Sequence, residues 1–216
     1  MKNSKSVFFG SIIGLVVLFF IGSLVYNKFQ SKEFSNAIAE DSGLLIREHS
    51  PSIGSPLLRV TLVEFLDPEC ESCSFFHPIV KSILKQHEGR IRYVVRYAPF
   101  HPNSKFVIEV LEAARAQGKY WEALDLFFEK LPEWGDHGNP RPDLILTYLP
   151  ALGLDVTQVQ AAIENSKTST AKMIEQEVSD GIKLGVRQTP TFFLNGERVN
   201  FRDPQDLIDA VALVLK

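Results

Sequence analysis

The chain has 216 residues, 45% hydrophobic and 23% charged, enough for one ordinary core and unlike the composition of a disordered polymer. With 23 Lys and Arg against 26 Asp and Glu, the formal charge of −3 gives no electrostatic reason to expect a nucleic-acid partner. Its two cysteines exclude a disulfide-rich scaffold and a self-contained four-thiolate zinc site, and permit at most one internal bridge.

From Ser6 to Asn27 no residue is charged, and Val7–Tyr26 is almost wholly apolar. A helix of about 20 residues reaches roughly 30 Å, the thickness of a bilayer's hydrocarbon core. Lys2 and Lys5 precede the run and Lys28 and Lys32 follow it, so charge bias specifies orientation only weakly. The run is longer than the apolar part of a signal peptide, and Ala37-Ile38-Ala39 lies well past it. An uncleaved signal anchor over residues 1–28 is therefore expected rather than a cleaved leader, with the rest of the chain exported. Residues 29–56 read as a polar spacer, partly helical at Phe34–Glu40 and irregular through Ser50–Pro56.

Leu57–Leu66 is rich in β-branched and large apolar residues and predicts a buried strand, broken by Asp67-Pro68. Cys70–Glu88 places Phe76, Val80, Ile83, Leu84 and His87 on one helical face, and Gly89 ends it. Pro78 lies inside that helix and should kink or interrupt it. Ile91–Tyr97 alternates, with Arg92 and Arg96 on the face opposite Ile91, Tyr93, Val95 and Tyr97. Strand, long helix and strand imply a parallel crossover. Helices are then expected from Asn103–Ser104 to Gln117 and over Lys119–Lys130, with Leu131–Pro142 as a loop. Further helices are expected over Asp143–Leu149, Val156–Asn165 and Thr168–Leu184, with Asp155 as an N-cap. Asn195-Gly196, between Thr191–Leu194 and Glu197–Phe201, is a strong hairpin signal. Asp203-Pro204 starts a last helix, whose Leu207, Ile208, Val211 and Leu213 can pack on the sheet. The order is β-α-β, a block of helices, then β-β-α.

Cys70-Glu71-Ser72-Cys73 is a CxxC that follows a buried strand and opens a helix. Unpaired N–H groups and the dipole at a helix N-terminus favour an anion, and the thiolate is the nucleophile in disulfide exchange. Cys70 is thus the candidate attacking thiol and Cys73, one turn in, the resolving one. A structural bridge would close too small a ring to constrain the unfolded chain much. Half of a metal site, with His77 one turn beyond Cys73, lacks a second thiol pair; no resident metal or cofactor is expected. Glu64, on the buried strand, is costly as a free carboxylate; it either exchanges protons with Cys73 or pairs with an unseen Lys or Arg. Thr189-Pro190 precedes the final hairpin, where a proline belongs at a strand's first residue or in a special turn.

These residues together resemble the thioredoxin superfamily, and within it the DsbA-like thiol-disulfide oxidoreductases with a helical insertion. The likeness rests on Val63–Cys73 (VEFLDPECESC), Pro78, the helical block around Phe106–Leu184, Ala98–Ser104 (APFHPNS) and Val186–Gly196 (VRQTPTFFLNG). It implies an α/β thioredoxin-like domain over 57–216, with the helical insertion at about 103–185. It also implies Pro190 as a cis-proline, Thr189 as backbone offered to an extended client segment, and Glu64 as the buried acid. In strongly oxidising members Pro-His stands between the cysteines. Here Glu71-Ser72 stands there, with Glu69 just before. Two carboxylates should oppose Cys70 ionisation and make a weaker oxidant.

The expected function is exchange of disulfides with exported cysteine-containing proteins by a domain held, single-pass, on the periplasmic side of a bacterial inner membrane. Such an anchor would suit a membrane redox partner that resets the cysteines. The alternative is an extracytoplasmic copper chaperone using Cys70 and Cys73, with His77 assisting.

Overall fold

The computed structural model describes residues 14–23, 25 and 43–216. Residues Met1–Ser42 and Gly43–Lys216 form separate compact units. In the first, 14–23 and 25 are helical and their apolar side chains are exposed. The expected anchor lies largely outside the described residues, and the expected helix at Phe34–Glu40 wholly so. Among the described residues no helix is long and apolar enough to cross a membrane.

The second unit is built on a five-stranded sheet in the order β1-β3-β2-β4-β5. Its strands are β1 (Ser52–Ile53), β2 (Val60–Leu66), β3 (Ile91–Tyr97), β4 (Thr191–Leu194) and β5 (Glu197–Arg198). β2 and β3 are parallel, joined by α1 (Glu71–Gln86), as the crossover reading requires. β4 lies antiparallel on the other side of β2. Asn195 (φ 50°) and Gly196 (φ 87°) make the expected tight turn, since both central positions of such a turn need a positive φ. Asn195 also locks onto β2, its Oδ1 accepting from the Thr61 N–H at 2.8 Å and its own N–H donating to the Thr61 carbonyl at 2.9 Å.

Between β3 and β4 comes the helical insertion: α2 (Ser104–Ala116), α3 (Tyr120–Glu129), α4 (Leu131–Trp134), α5 (Leu144–Tyr148), a 3-10 turn at Leu149–Leu152 and α6 (Val156–Lys183). The chain closes with α7 (Pro204–Val214). One face of the sheet, with Leu62, Leu66, Tyr93, Val95 and Phe192, packs against α1, α2, α3 and α7. The other face carries Val63, Phe65, Val94 and Phe193, all buried.

Several expectations need correction. β2 starts at Val60, and Leu57 is exposed. The stretch 43–56, assigned by sequence to a spacer, lies in the domain unit: Leu44 and Leu45 are buried and β1 pairs with β3. Pro78 lies inside α1 without interrupting it. Leu131–Trp134, expected in a loop, is one helical turn around Trp134, which is fully buried with its Nε1–H donating to the Phe127 carbonyl. The two expected helices from Val156 to Leu184 are one, because Asn165-Ser166-Lys167 contains no glycine or proline. Ser166 satisfies its hydroxyl inside the helix, on the Ala162 carbonyl. Asp155 and Asp203 cap their helices as expected. Leu213 is exposed, and the face of α7 that packs carries Leu207 and Val211.

Candidate active site

The candidate site forms where β2 hands over to α1. The Cys70 N–H donates to the Asp67 carbonyl at 3.0 Å, turning the chain at once, and the Cys70 carbonyl accepts the first helical bond from Ser74. Cys70 is extended (φ −85°, ψ 122°) and occupies the N-cap position, where no side chain caps the helix. The backbone N–H groups of Cys73 and Ser72, at that open end of the helix, favour its thiolate. Both cysteines are free thiols. Cys70 keeps 7% of its surface exposed, and Cys73 none.

Their acidities diverge. Cys70 is lowered to about 5, chiefly by a hydrogen bond from the Cys73 thiol; burial opposes this, and bonds from Thr189 and the helix N–H groups add to it. Cys73 is pushed well above its usual value by burial, by its bond to Cys70 and by the charges of Glu64 and Cys70. The Asp67 N–H, 3.5 Å from the Cys73 sulfur, works the other way. Thr189 lies beside the pair, with its carbonyl 3.5 Å from the Cys70 sulfur. The Thr189–Pro190 peptide is cis and leads directly into β4.

Glu64 points from the α1 side of β2 and is 1% exposed. Among the described residues no lysine or arginine pairs with it. The Tyr93 hydroxyl donates to Oε2. Burial raises Glu64 to about 7, with the Tyr93 bond opposing and the Cys70 charge adding. It is a buried acid that changes protonation near neutrality.

Glu69, expected to oppose Cys70 ionisation, faces away from it. Glu69 is buried, and its carboxylate is turned onto α2, accepting from the Asn103 N–H (2.7 Å) and Nδ2 (2.6 Å). Glu71, by contrast, remains exposed on the first turn. Asn103 accordingly caps α2 through no side-chain bond. Sequence reasoning also passed over Asp67, treating it as part of a strand breaker. Its buried carboxylate gathers N–H groups of Glu69, Phe100 and His101, the Ser104 hydroxyl and His101 Nδ1. The Ala98–Ser104 segment is thereby pinned against the CxxC turn. The one sequence signal for this was that His101 and Ser104 fall in the stretch that carried the family likeness.

His77, the third ligand of the copper reading, is buried, with Nε2 2.6 Å from Asp125 Oδ1 and its ring against Phe128. Among the described residues no group of three or more His, Cys, Asp or Glu side chains is placed to hold a metal ion.

The family model described as thioredoxin matches residues 47–212. The crystal structure of the thiol-disulfide exchange protein α-DsbA2 from Wolbachia pipientis superposes with a TM-score of 0.73 at 21% identity, over 87% of this chain and 98% of that one. A thioredoxin-like oxidoreductase from Silicibacter pomeroyi DSS-3 superposes with a TM-score of 0.67 at 28% identity, over 81% and 97%. Among curated proteins, the Na(+)/H(+) antiporter NhaA of Herminiimonas arsenicoxydans is 28% identical over 194 residues, 88% of this chain and 30% of that protein. The chain spans less than a third of the length of the curated relatives it matches. A strand-to-helix CxxC, the carbonyl before a cis-proline lying 3.5 Å from its first sulfur, and a matched region covering nearly the whole domain have one reading: this chain belongs to the thioredoxin family, with the DsbA-like fold that carries a helical insertion.

Proposed function

We propose that the protein is a membrane-anchored thiol-disulfide oxidoreductase that exchanges disulfides with exported proteins, its domain lying on the extracytoplasmic side. The observation that carries this reading is the inequality of the two thiols: Cys70 at about 5 with part of its surface open, Cys73 raised and sealed. A thiolate at neutral pH is the attacking species, and a low pKa also makes it a good leaving group.

In the reducing direction the Cys70 thiolate attacks a client disulfide, forms a mixed disulfide and expels one client sulfur as thiolate. Cys73 gives its proton to Glu64, directly or through water, and attacks the Cys70 sulfur. The second client sulfur leaves, and the pair is left oxidised. The oxidising direction is the reverse. Thr189 and Pro190 offer backbone to the client segment, a form of strand addition. A cleft of about 100 Å³ lined by Gln188, Pro190, Thr191, Arg198, Asn200 and Phe201 leaves room for client side chains there. A Cys70 pKa of about 5 lies between the ~3.5 of a strongly oxidising enzyme and the ~7 of a reducing one. Stabilised as a thiolate, the reduced form favours donating disulfides, at intermediate strength.

The test is insulin reduction together with oxidative refolding of a reduced, disulfide-containing protein. Cys70→Ser should bring both to background, and Cys73→Ser should accumulate the mixed disulfide. Exchange that survives Cys70→Ser would refute the proposal.

A further inference from the structure

Between the two cysteines stand only Glu71 and Ser72, so the motif itself holds no cation. The residues that flank Cys70 in the chain are acids instead. Asp67 and Glu69 are buried just before it, and Glu71 opens the helix just after it. A cation beside the thiolate would have to come from outside the motif.

Two histidines from outside the motif supply the candidates. His101, from the segment after β3, bonds through Nδ1 to Asp67 Oδ2 at 2.8 Å. The same Asp67 accepts the Cys70 N–H on its carbonyl and aims its own N–H at the Cys73 sulfur. One residue thus joins the imidazole to both cysteines. His137, from the loop after α4, lies against the His101 ring, centroids 5.6 Å apart and planes 35° apart. Its Nε2 reaches to 3.9 Å from Glu71 Oε1, on the first residue of α1. The two rings therefore sit at the end of α1 that carries Cys70. The charged and titratable groups facing His101 are Asp67, Glu69, Cys70 and His137.

We infer that His101 is a positioning residue for disulfide exchange: as an imidazolium anchored on Asp67, it holds the Cys70 thiolate from outside the CxxC. This rests on the oxidoreductase reading above and deepens it. The electrostatics agree in direction. Burial pushes His101 down, but the bond and charge of Asp67 outweigh it, and the charges of Cys70 and Glu69 add to the rise. The influence is mutual by linkage: if the thiolate raises His101, the imidazolium lowers Cys70 by the same factor. When a client dithiol reduces the Cys70–Cys73 disulfide, two electrons arrive and the client gives up two protons. One proton goes to Cys73. The other leaves for solvent, or enters His101 wherever its ring is still neutral. The redox potential then depends on pH through the histidine as well as through the thiols.

The experiment titrates His101 by heteronuclear NMR in the reduced and in the disulfide-bonded protein, and follows Cys70 by thiolate absorbance in wild type and His101→Gln. Glutamine can still donate to Asp67 but carries no charge. The expected result is a His101 pKa higher in the reduced form by about half a unit or more, with a comparable rise in Cys70 on His101→Gln. An identical His101 pKa in the two redox states overturns the inference, and those wild-type titrations decide it alone should the variant fail to fold. Both readouts are free of client turnover. A protein that shows the coupling but does not reduce insulin would sink the proposed function and leave this inference standing.

Discussion

The two faces of one sheet treat buried acids in opposite ways. On the face covered by α6 and the 43–50 segment, Glu177 and Asp180 are 1% and 2% exposed and meet Arg96, which is itself fully buried. Arg96 Nε lies 2.8 Å from Glu177 Oε2 and Nη2 lies 2.8 Å from Asp180 Oδ2, while Nη1 donates to the Leu44 carbonyl. Arg47 adds a two-pronged pair to Asp180. Burial would raise Asp180, yet the two guanidinium groups hold it below the usual range. On the α1 face, Glu64 is equally buried and meets a phenol instead of a cation. It rises to about 7. Both acids are nearly closed to solvent, and their partners differ. An acid matched by arginine keeps its charge and ties elements together, whereas an acid matched by a neutral donor titrates near neutral pH and can take up or release a proton.

The sharpest way to break this contrast is Arg96→Met. It strands two carboxylates without their shared cation, and should cost about 3–5 kcal/mol in denaturant unfolding. The thiolate titration of Cys70 in the folded variant should be unchanged, because Arg96 lies on the other face. A variant as stable as wild type would show that Arg47 on Asp180 and His49 on Glu177 suffice without Arg96.

Glu64→Gln should do the opposite. With a folded pKa near 7 against about 4.3 unfolded, the folded protein binds the extra proton between those values. Stability from this group is complete below about 4.3 and lost as pH rises through 7, a swing on the order of 3 kcal/mol. The variant should lack that decline and be the more stable protein at pH 8, while the step that deprotonates Cys73 slows about 10²-fold. Stopped-flow release of the mixed disulfide measures the second effect, and an unaltered rate would remove Glu64 from the proton path.

A third comparison sets reduced against disulfide-bonded protein. The depressed Cys70 pKa contributes stability that is present above the unfolded value of about 8.5 and lost as pH falls through about 5. The reduced form should therefore gain on the oxidised form across that window, as read by thermal melts of each at several pH values. Parallel curves would contradict the depressed thiol. At the small end, Leu213→Ala on the exposed side of α7 should shift stability within about 0.5 kcal/mol; a larger loss would mean that this face is covered.

Much of this molecule was legible in its sequence. β2, β3 and β4, the Asn195-Gly196 turn and the caps at Asp155 and Asp203 announce themselves within a few residues. Backbone preference and side-chain periodicity are local properties. Local signals misled where tertiary packing intervened. β1 is two residues long and exists because β3 offers it an edge. α6 runs through a polar stretch that reads as a break. Glu69 adjoins Cys70 in sequence, yet its carboxylate faces Asn103.

The CxxC, its place at a strand-to-helix junction, the buried acid on β2 and the proline ahead of the hairpin were all fixed by residue order, because each is a matter of spacing along one chain. Partnership was not. That Glu64 finds Tyr93, that Asp67 finds His101 and that Arg96 finds Glu177 depends on folding residues 29, 34 and 81 positions apart into contact. The charge state of a buried group is set by what it meets there.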